Sequence, residues 1–165
     1  MKTHLPLALL GLGLLTIQAM AAPPAVILSK SDVRGALADN HATGFVMKAL
    51  HAVDTADTHT SIATLRRDQS ETTGLSHDHV TEIYEILEGE ATLLTGGTMT
   101  GGGKAMISAA DPAIGPSHQG VIEGGKSTVV KPGDLVVLAP GMPHAFSRIN
   151  GHVTYMVVRL SKEKY

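Results

Sequence analysis

The 165-residue sequence has no cysteine, no tryptophan, two phenylalanines and three tyrosines. Without thiols there is no disulfide framework, no thiolate nucleophile and no sulfur-ligated zinc. Stability must come from a packed core and from any bound metal. Basic residues occur singly or as the pair Arg66-Arg67, and the formal net charge is −2. A chain without a basic patch carries no electrostatic footprint for nucleic acid or an anionic membrane surface. Against these shortages stand nine histidines, which directs attention to imidazole chemistry.

Long apolar runs are also scarce. The one at the N-terminus, Leu5 to Gln18, has 14 residues, short of the roughly 20 that cross a bilayer. Met1-Lys2-Thr3-His4 gives it a positive start, and Ala19-Met20-Ala21 supplies small residues for cleavage. This order predicts a secretory signal peptide over 1–21. The expected protein is therefore exported, periplasmic or extracellular, with no membrane span in the mature chain. The remaining 144 residues suffice for one domain with a real core.

The expected organisation is an N-terminal extension over 22–44, a barrel over 45–160 and a short tail over 161–165. Ser29-Lys30-Ser31-Asp32, followed by Val33, Ala36 and Leu37, predicts a short capped helix. From about residue 43 the chain reads as strands. Thr60 to Arg66 alternates. Glu82 to Leu87 and Ala91 to Thr95 are β-rich runs separated by Glu88-Gly89-Glu90, a hairpin signal. Leu135 to Leu138 is a short apolar run expected to be buried on both sides or in a barrel wall. Lys131-Pro132-Gly133-Asp134 predicts a tight turn before it, and Val153 to Leu160 is a last alternating strand. Residues 96–120, rich in glycine and proline, are expected to form an irregular loop. Many short strands with Gly/Pro turns and little helix predict an all-β sandwich or barrel.

The chemistry-bearing residues begin at His77-Asp78-His79. On a strand, side chains at i and i+2 share a face, so both imidazoles can aim at one point. Glu82 lies at odd separation and needs a turn, expected at Val80-Thr81, to bring it inward with Tyr84 and Ile86. His144 follows the turn Pro140-Gly141-Met142-Pro143 and is expected to share a face with Phe146 and Arg148. Three imidazoles and a carboxylate suit one divalent transition metal. For each histidine alone, an ordinary surface or core role stands as the alternative.

The frame around these residues resembles the cupin superfamily. Gly74-Leu-Ser-His77-Asp-His79-Val-Thr-Glu82, with six residues from Glu82 to Gly89, is similar to the first cupin motif. Gly133-Asp134 through Pro140-Gly141-Met-Pro143-His144 is similar to the second. The resemblance implies a double-stranded β-helix, a jelly-roll barrel, with a metal site of His77, His79, Glu82 and His144. The metal would be iron, manganese, nickel or zinc, and a homodimer is one option. Two departures stand out. Only two residues separate His79 from Glu82, where three or four are usual, and Ala139 replaces the first proline of the second motif. The shortened turn bears hardest on His79.

Further pocket candidates are Tyr84, Phe146, Arg66 and His118. Arg66 or its neighbour Arg67 could hold a substrate carboxylate through a two-point pair, and His118 could reach the mouth from the 96–120 loop. Barrel core is the alternative for the aromatics, and a solvated loop residue for His118. His41, His51, His59 and His152 have no partner pattern. Two function classes follow. One is a metal-dependent enzyme on a small organic substrate, dioxygenase- or isomerase-like. The other is a non-catalytic envelope protein that binds a small ligand or the metal itself.

Overall fold

The computed structural model describes residues 24–37, 44–109 and 111–165. The expected signal peptide and His41 lie outside the described residues. Among the described residues ten strands follow one short α-helix: α1 (Lys30–Gly35), β1 (Phe45–Asp54), β2 (His59–Arg67), β3 (Gly74–His77), β4 (Val80–Thr95), β5 (Thr98–Thr100), β6 (Met106–Ile107), β7 (Pro116–Glu123), β8 (Lys126–Val130), β9 (Leu135–Leu138) and β10 (His144–Ser161). Every pairing is antiparallel.

Two long strands organise the barrel. The first part of β4 pairs with the last part of β10, flanked by β9 on one side and by β2 and β1 on the other. The second part of β4 pairs with the first part of β10, flanked by β8 on one side and by β3, β7 and β5 on the other. One pair of strands thus runs through both sheets. Their register slips between Phe146 and Arg148, between Asn150 and Val153 and between Thr154 and Tyr155. Such bulges bend a strand and sharpen its twist.

The Glu88-Gly89-Glu90 signal is the bend inside β4, not a hairpin between two strands. Gly89 has φ +77°, and a Cβ there would lie 1.8 Å from the His152 carbonyl oxygen. Only glycine fits both demands. The bulge after Phe146 also corrects the expectation for Arg148, which turns to the exposed side while His144 and Phe146 stay buried.

The interior is built by alternation. Along β4, Val80, Glu82, Tyr84 and Ile86 are buried while their neighbours are half-buried. On β10, Val153, Tyr155, Val157 and Arg159 take the same side. These meet Ala63 and Leu65 of β2 and Leu93 of β4 in one core. Burying each large aliphatic side chain contributes roughly 1.5–3 kcal/mol. The rings of Tyr84, Phe146 and Tyr155 pack together with centroids 4.8 to 6.3 Å apart.

Three other expectations change. Leu135 and Val137 of β9 are 69% and 65% exposed while Leu138 is buried. Among the described residues that strand pairs with β4 alone, so it forms an edge with one face in solvent. The 96–120 stretch holds β5, β6, a 3-10 turn at Pro112–Ile114 and the start of β7, so it is not wholly irregular. The last strand begins at His144, well before Val153. The capped helix and the turn before β9 form as expected. The Ser29 side chain accepts from the Asp32 N–H while Asp32 accepts from the Ser29 N–H, and the Asp134 N–H donates to the Lys131 carbonyl at 3.0 Å. Thr64 Oγ1 donates to the Val33 carbonyl at 3.1 Å, which holds α1 against the outer face of β2.

Candidate metal centre

His77 is the last residue of β3, and Glu82 is the third residue of β4. The turn between them falls on Asp78-His79 rather than on Val80-Thr81. The Asp78 N–H donates to the Pro116 carbonyl at 2.9 Å, and the Gly141 N–H donates to the His77 carbonyl at 2.7 Å. That second bond ties the turn before β10 to the end of β3 and sets His144 beside His77, with ring centroids 5.1 Å apart. Gly74 permits this approach, because a Cβ there would come within 2.8 Å of the His144 carbonyl oxygen.

His77, Glu82 and His144 are buried, and their donor atoms lie within 4.8 Å of one another. His77 Nε2 is 3.5 Å from Glu82 Oε2, and His144 Nε2 is 3.4 Å from the same oxygen. Donors about 2.1 Å from a tetrahedral ion stand roughly 3.4 Å apart, so this spacing is that of a ligand shell. The outer nitrogens are tied back. His144 Nδ1 faces the Met142 carbonyl at 3.0 Å and must donate to it, which leaves Nε2 with its lone pair. His77 Nδ1 is 2.8 Å from Ser117 Oγ, whose own hydrogen goes to the Gly115 carbonyl at 2.9 Å. In the neutral ring that assignment leaves His77 Nε2 with its lone pair; a hydrogen placed on Nε2 points at Glu82 instead. Partners on the far nitrogen commonly fix metal-binding imidazoles in this way. Three electron-pair donors thus face one another, and either a cation or an added proton must separate them. The residues fit a divalent metal.

Sequence reasoning placed four ligands here, and three converge. His79 does not join them. Val80, Glu82 and Tyr84 share the inward parity, so position 79 points out. Its side chain is exposed, on a surface groove of about 400 Å³ with Thr81, Pro140 and Leu160. The shortened gap to Glu82 is the cause.

Two residues absent from the sequence expectation complete the site. Arg159, 5% exposed, donates from Nε to Glu82 Oε1 at 2.8 Å. Its Nη1 and Nη2 lie 3.3 and 2.9 Å from the two carboxylate oxygens of Asp111. Tyr84 donates its hydroxyl proton to Glu82 Oε2 at 2.6 Å. Burial opposes a charged Glu82, but the His77 contact and the Arg159 charge outweigh it and hold its carboxyl far below the ordinary range. Burial, then the Glu82 charge, push the Tyr84 hydroxyl well above its usual value, so it stays protonated. Burial lowers the His144 imidazole, with Glu82 opposing. Burial raises the Asp111 carboxyl against the pull of Arg159.

The remaining pocket candidates lie elsewhere. Arg66 has the parity opposite to Ala63 and Leu65, so it faces away from the interior. Arg67 turns in instead, donating from Nε to the Tyr155 hydroxyl at 3.0 Å and pairing with Glu71 at 2.7 Å. It sits opposite Val153, whereas Arg159 sits opposite Ser61, so its guanidinium meets Tyr155 and Glu71 rather than Glu82. His118 is on β7 rather than in a loop, with Nε2 3.3 Å from Asp78 and Nδ1 3.1 Å from the Gly103 carbonyl. Its neighbour Ser117 is the one that reaches the centre. Phe146 is core. A groove of about 480 Å³ between α1 and the outer sheet face, lined by Val33, His51, Ile62 and Met156, shares no residue with the triad.

No protein-family profile matches the sequence, and no curated protein matches it. Among solved structures, BH2720 from Bacillus halodurans gives a TM-score of 0.51 at 14% identity, over 87% of this chain and 85% of that one. A protein with a double-stranded beta-helix domain from Klebsiella pneumoniae gives 0.49 at 15% identity, over 86% and 95%. A recombinant oxalate oxidase in complex with glycolate gives 0.48 at 18% identity, over 92% and 73%. Identities this low speak to fold alone. Two antiparallel sheets sharing one bent strand pair, with His77, Glu82 and His144 inside, form a double-stranded β-helix.

Proposed function

We propose that the protein is a metal-dependent enzyme acting on a small organic substrate, with a divalent transition metal held by His77, Glu82 and His144. The observation that carries this reading is the convergence of three buried donors at 3.4 and 3.5 Å, with both outer imidazole nitrogens tied back. Two imidazoles and a carboxylate with open positions are the donor set of non-haem iron(II) sites, so iron is the first candidate ahead of manganese, nickel and zinc. When bound, such an ion supplies Lewis acidity at the positions the protein leaves open.

The chain's own residues do the rest. Ser117 and the Met142 carbonyl orient the two rings. Tyr84 and Arg159 each hold one oxygen of Glu82 and keep it ionised. Phe146, Tyr155 and Val157 close the interior below the triad. The test is elemental analysis of the purified protein beside a His77→Ala/His144→Ala variant. About one ion per chain, lost in the variant, is expected, and equal content in both ends the reading. Turnover of small phenols, diketones, sugars and carboxylic acids by the metal-loaded protein then tests for catalysis.

A second reading, a binding protein without catalysis, draws support from one observation. Tyr84 is held protonated, and Glu82 is committed to Arg159 and the imidazoles, so neither is free to act as a base. No turnover across the panel by a protein that retains its metal favours it. We also propose export, on the strength of residues 1–21. A mature N-terminus near Ala22 or Pro23 in the secreted or periplasmic fraction supports this, and a protein confined to the cytoplasm with Met1 intact counts against it. No helix among the described residues is long and apolar enough to cross a membrane.

A further inference from the structure

Arg159 stands on the interior face of β10, in line with Tyr155 and Val157, where a cation is unexpected. Its Nε is committed to Glu82, which leaves the fork of Nη1 and Nη2. That fork meets both oxygens of Asp111, the two-point pairing a guanidinium forms with any carboxylate. The two acids it holds are not equivalent. Glu82 lies within β4, fixed by neighbours on both sides. Asp111 lies outside the strands, just before a three-residue 3-10 turn, and follows an exposed stretch over 101–107.

We propose that the Arg159 fork is the recognition site for the carboxylate of a small organic acid, and that Asp111 occupies it until the acid displaces it. The proposal rests on the reading of the adjacent triad as a metal centre. Charge supports it and narrows the ligand. With neutral imidazoles, Arg159, Glu82 and Asp111 sum to −1, and a divalent ion brings the group to +1. An incoming carboxylate that replaces Asp111 leaves that +1 unchanged. A second anionic oxygen on the same molecule, placed toward the triad, neutralises it. Small dicarboxylates therefore fit better than monocarboxylates. Neutral phenols or sugars fit worst, because displacing Asp111 would leave a buried guanidinium fork without a partner.

The test is calorimetric titration of the full chain with acetate, malonate and succinate, in metal-stripped and metal-loaded forms. Asp111→Asn keeps the size of the side chain and removes the competing charge. This variant is expected to bind malonate at least tenfold more tightly than the wild type in both forms. Adding Arg159→Lys to Asp111→Asn is expected to abolish that gain. Affinity in Asp111→Asn no better than wild type overturns the proposal, and so does a gain that survives Arg159→Lys. If Arg159→Lys fails to fold, the comparison of Asp111→Asn with wild type decides alone. Elemental analysis of the same samples separates the two readings. A malonate gain in a protein that takes up no metal when loaded keeps the Arg159 site and sinks the metal centre. A metal-bearing protein without the gain does the reverse.

Discussion

Replacing Glu82 with glutamine tests how the buried charges hold one another. Glu82 and Arg159 are 2% and 5% exposed, and Nε to Oε1 is 2.8 Å. Removing one partner of a buried ion pair costs about 3–5 kcal/mol, because the other charge stays buried without compensation. Glutamine can still accept from Arg159 Nε, and Asp111 still meets the fork. The loss should therefore fall near the lower end, about 3 kcal/mol. A domain of this size is typically stable by about 5–15 kcal/mol, so the variant should still fold. The same change removes one of the three donors proposed to hold the metal. An ion at a hundred times its dissociation constant stabilises the wild type by about 2.7 kcal/mol, and the variant should gain much less. Urea denaturation with and without the ion, followed by circular dichroism, reads both effects. A metal-free loss below about 1 kcal/mol would refute the claim that Glu82 compensates Arg159.

Other outcomes follow from the same geometry. His79→Ala should leave metal content unchanged and stability within about 0.5 kcal/mol, as an exposed site allows; loss of the ion would restore His79 as a ligand. Gly89→Ala should cost more than about 2 kcal/mol in thermal or chemical unfolding, since the residue needs positive φ and its Cβ would strike the His152 carbonyl. A near-neutral result would mean that the β4 bend relaxes freely. The metal-free protein should lose stability as pH falls. His144 and Glu82 both have folded-state values below their ordinary 6.5 and 4.5. The unfolded chain therefore takes up protons first, near 6.5 and again near 4.5. Asp111, raised above 3.8, works in the opposite sense and offsets part of the acid loss. Urea midpoints measured from pH 8 to pH 4 check this, and a flat profile contradicts it.

The meeting of His77, Glu82 and His144 was legible in the sequence because its signals are local. His77 and Glu82 sit five residues apart, and the turn before His144 is marked by Pro140, Gly141 and Pro143. The status of His79 turned on where a two-residue turn falls, and a shift from Val80-Thr81 to Asp78-His79 reversed its face. Arg159 and Asp111 were missed for another reason. They lie 77 and 29 residues from Glu82 in sequence, and only strand pairing brings Arg159 to it. A signal for Arg159 did exist. It stands at even spacing from Val153, Tyr155 and Val157, so a charge falls on an otherwise apolar face. Asp111 carries no such mark. Gly89 was read as a hairpin because positive φ serves a tight turn and a strand bend equally well.

The strand pair that crosses both sheets also sets the order in which the protein can be built. Val80 pairs with Ser161 and Thr95 with His144, so the central ladder joins segments dozens of residues apart. Contacts of that separation must meet the entropy of closing long loops before they contribute, and chains rich in them fold slowly. During synthesis the first strands wait for a partner that is made last. Glu82 receives neither His144 nor Arg159 until β10 arrives. The centre therefore cannot be complete before β10 has paired with β4, and any metal bound there reports that pairing.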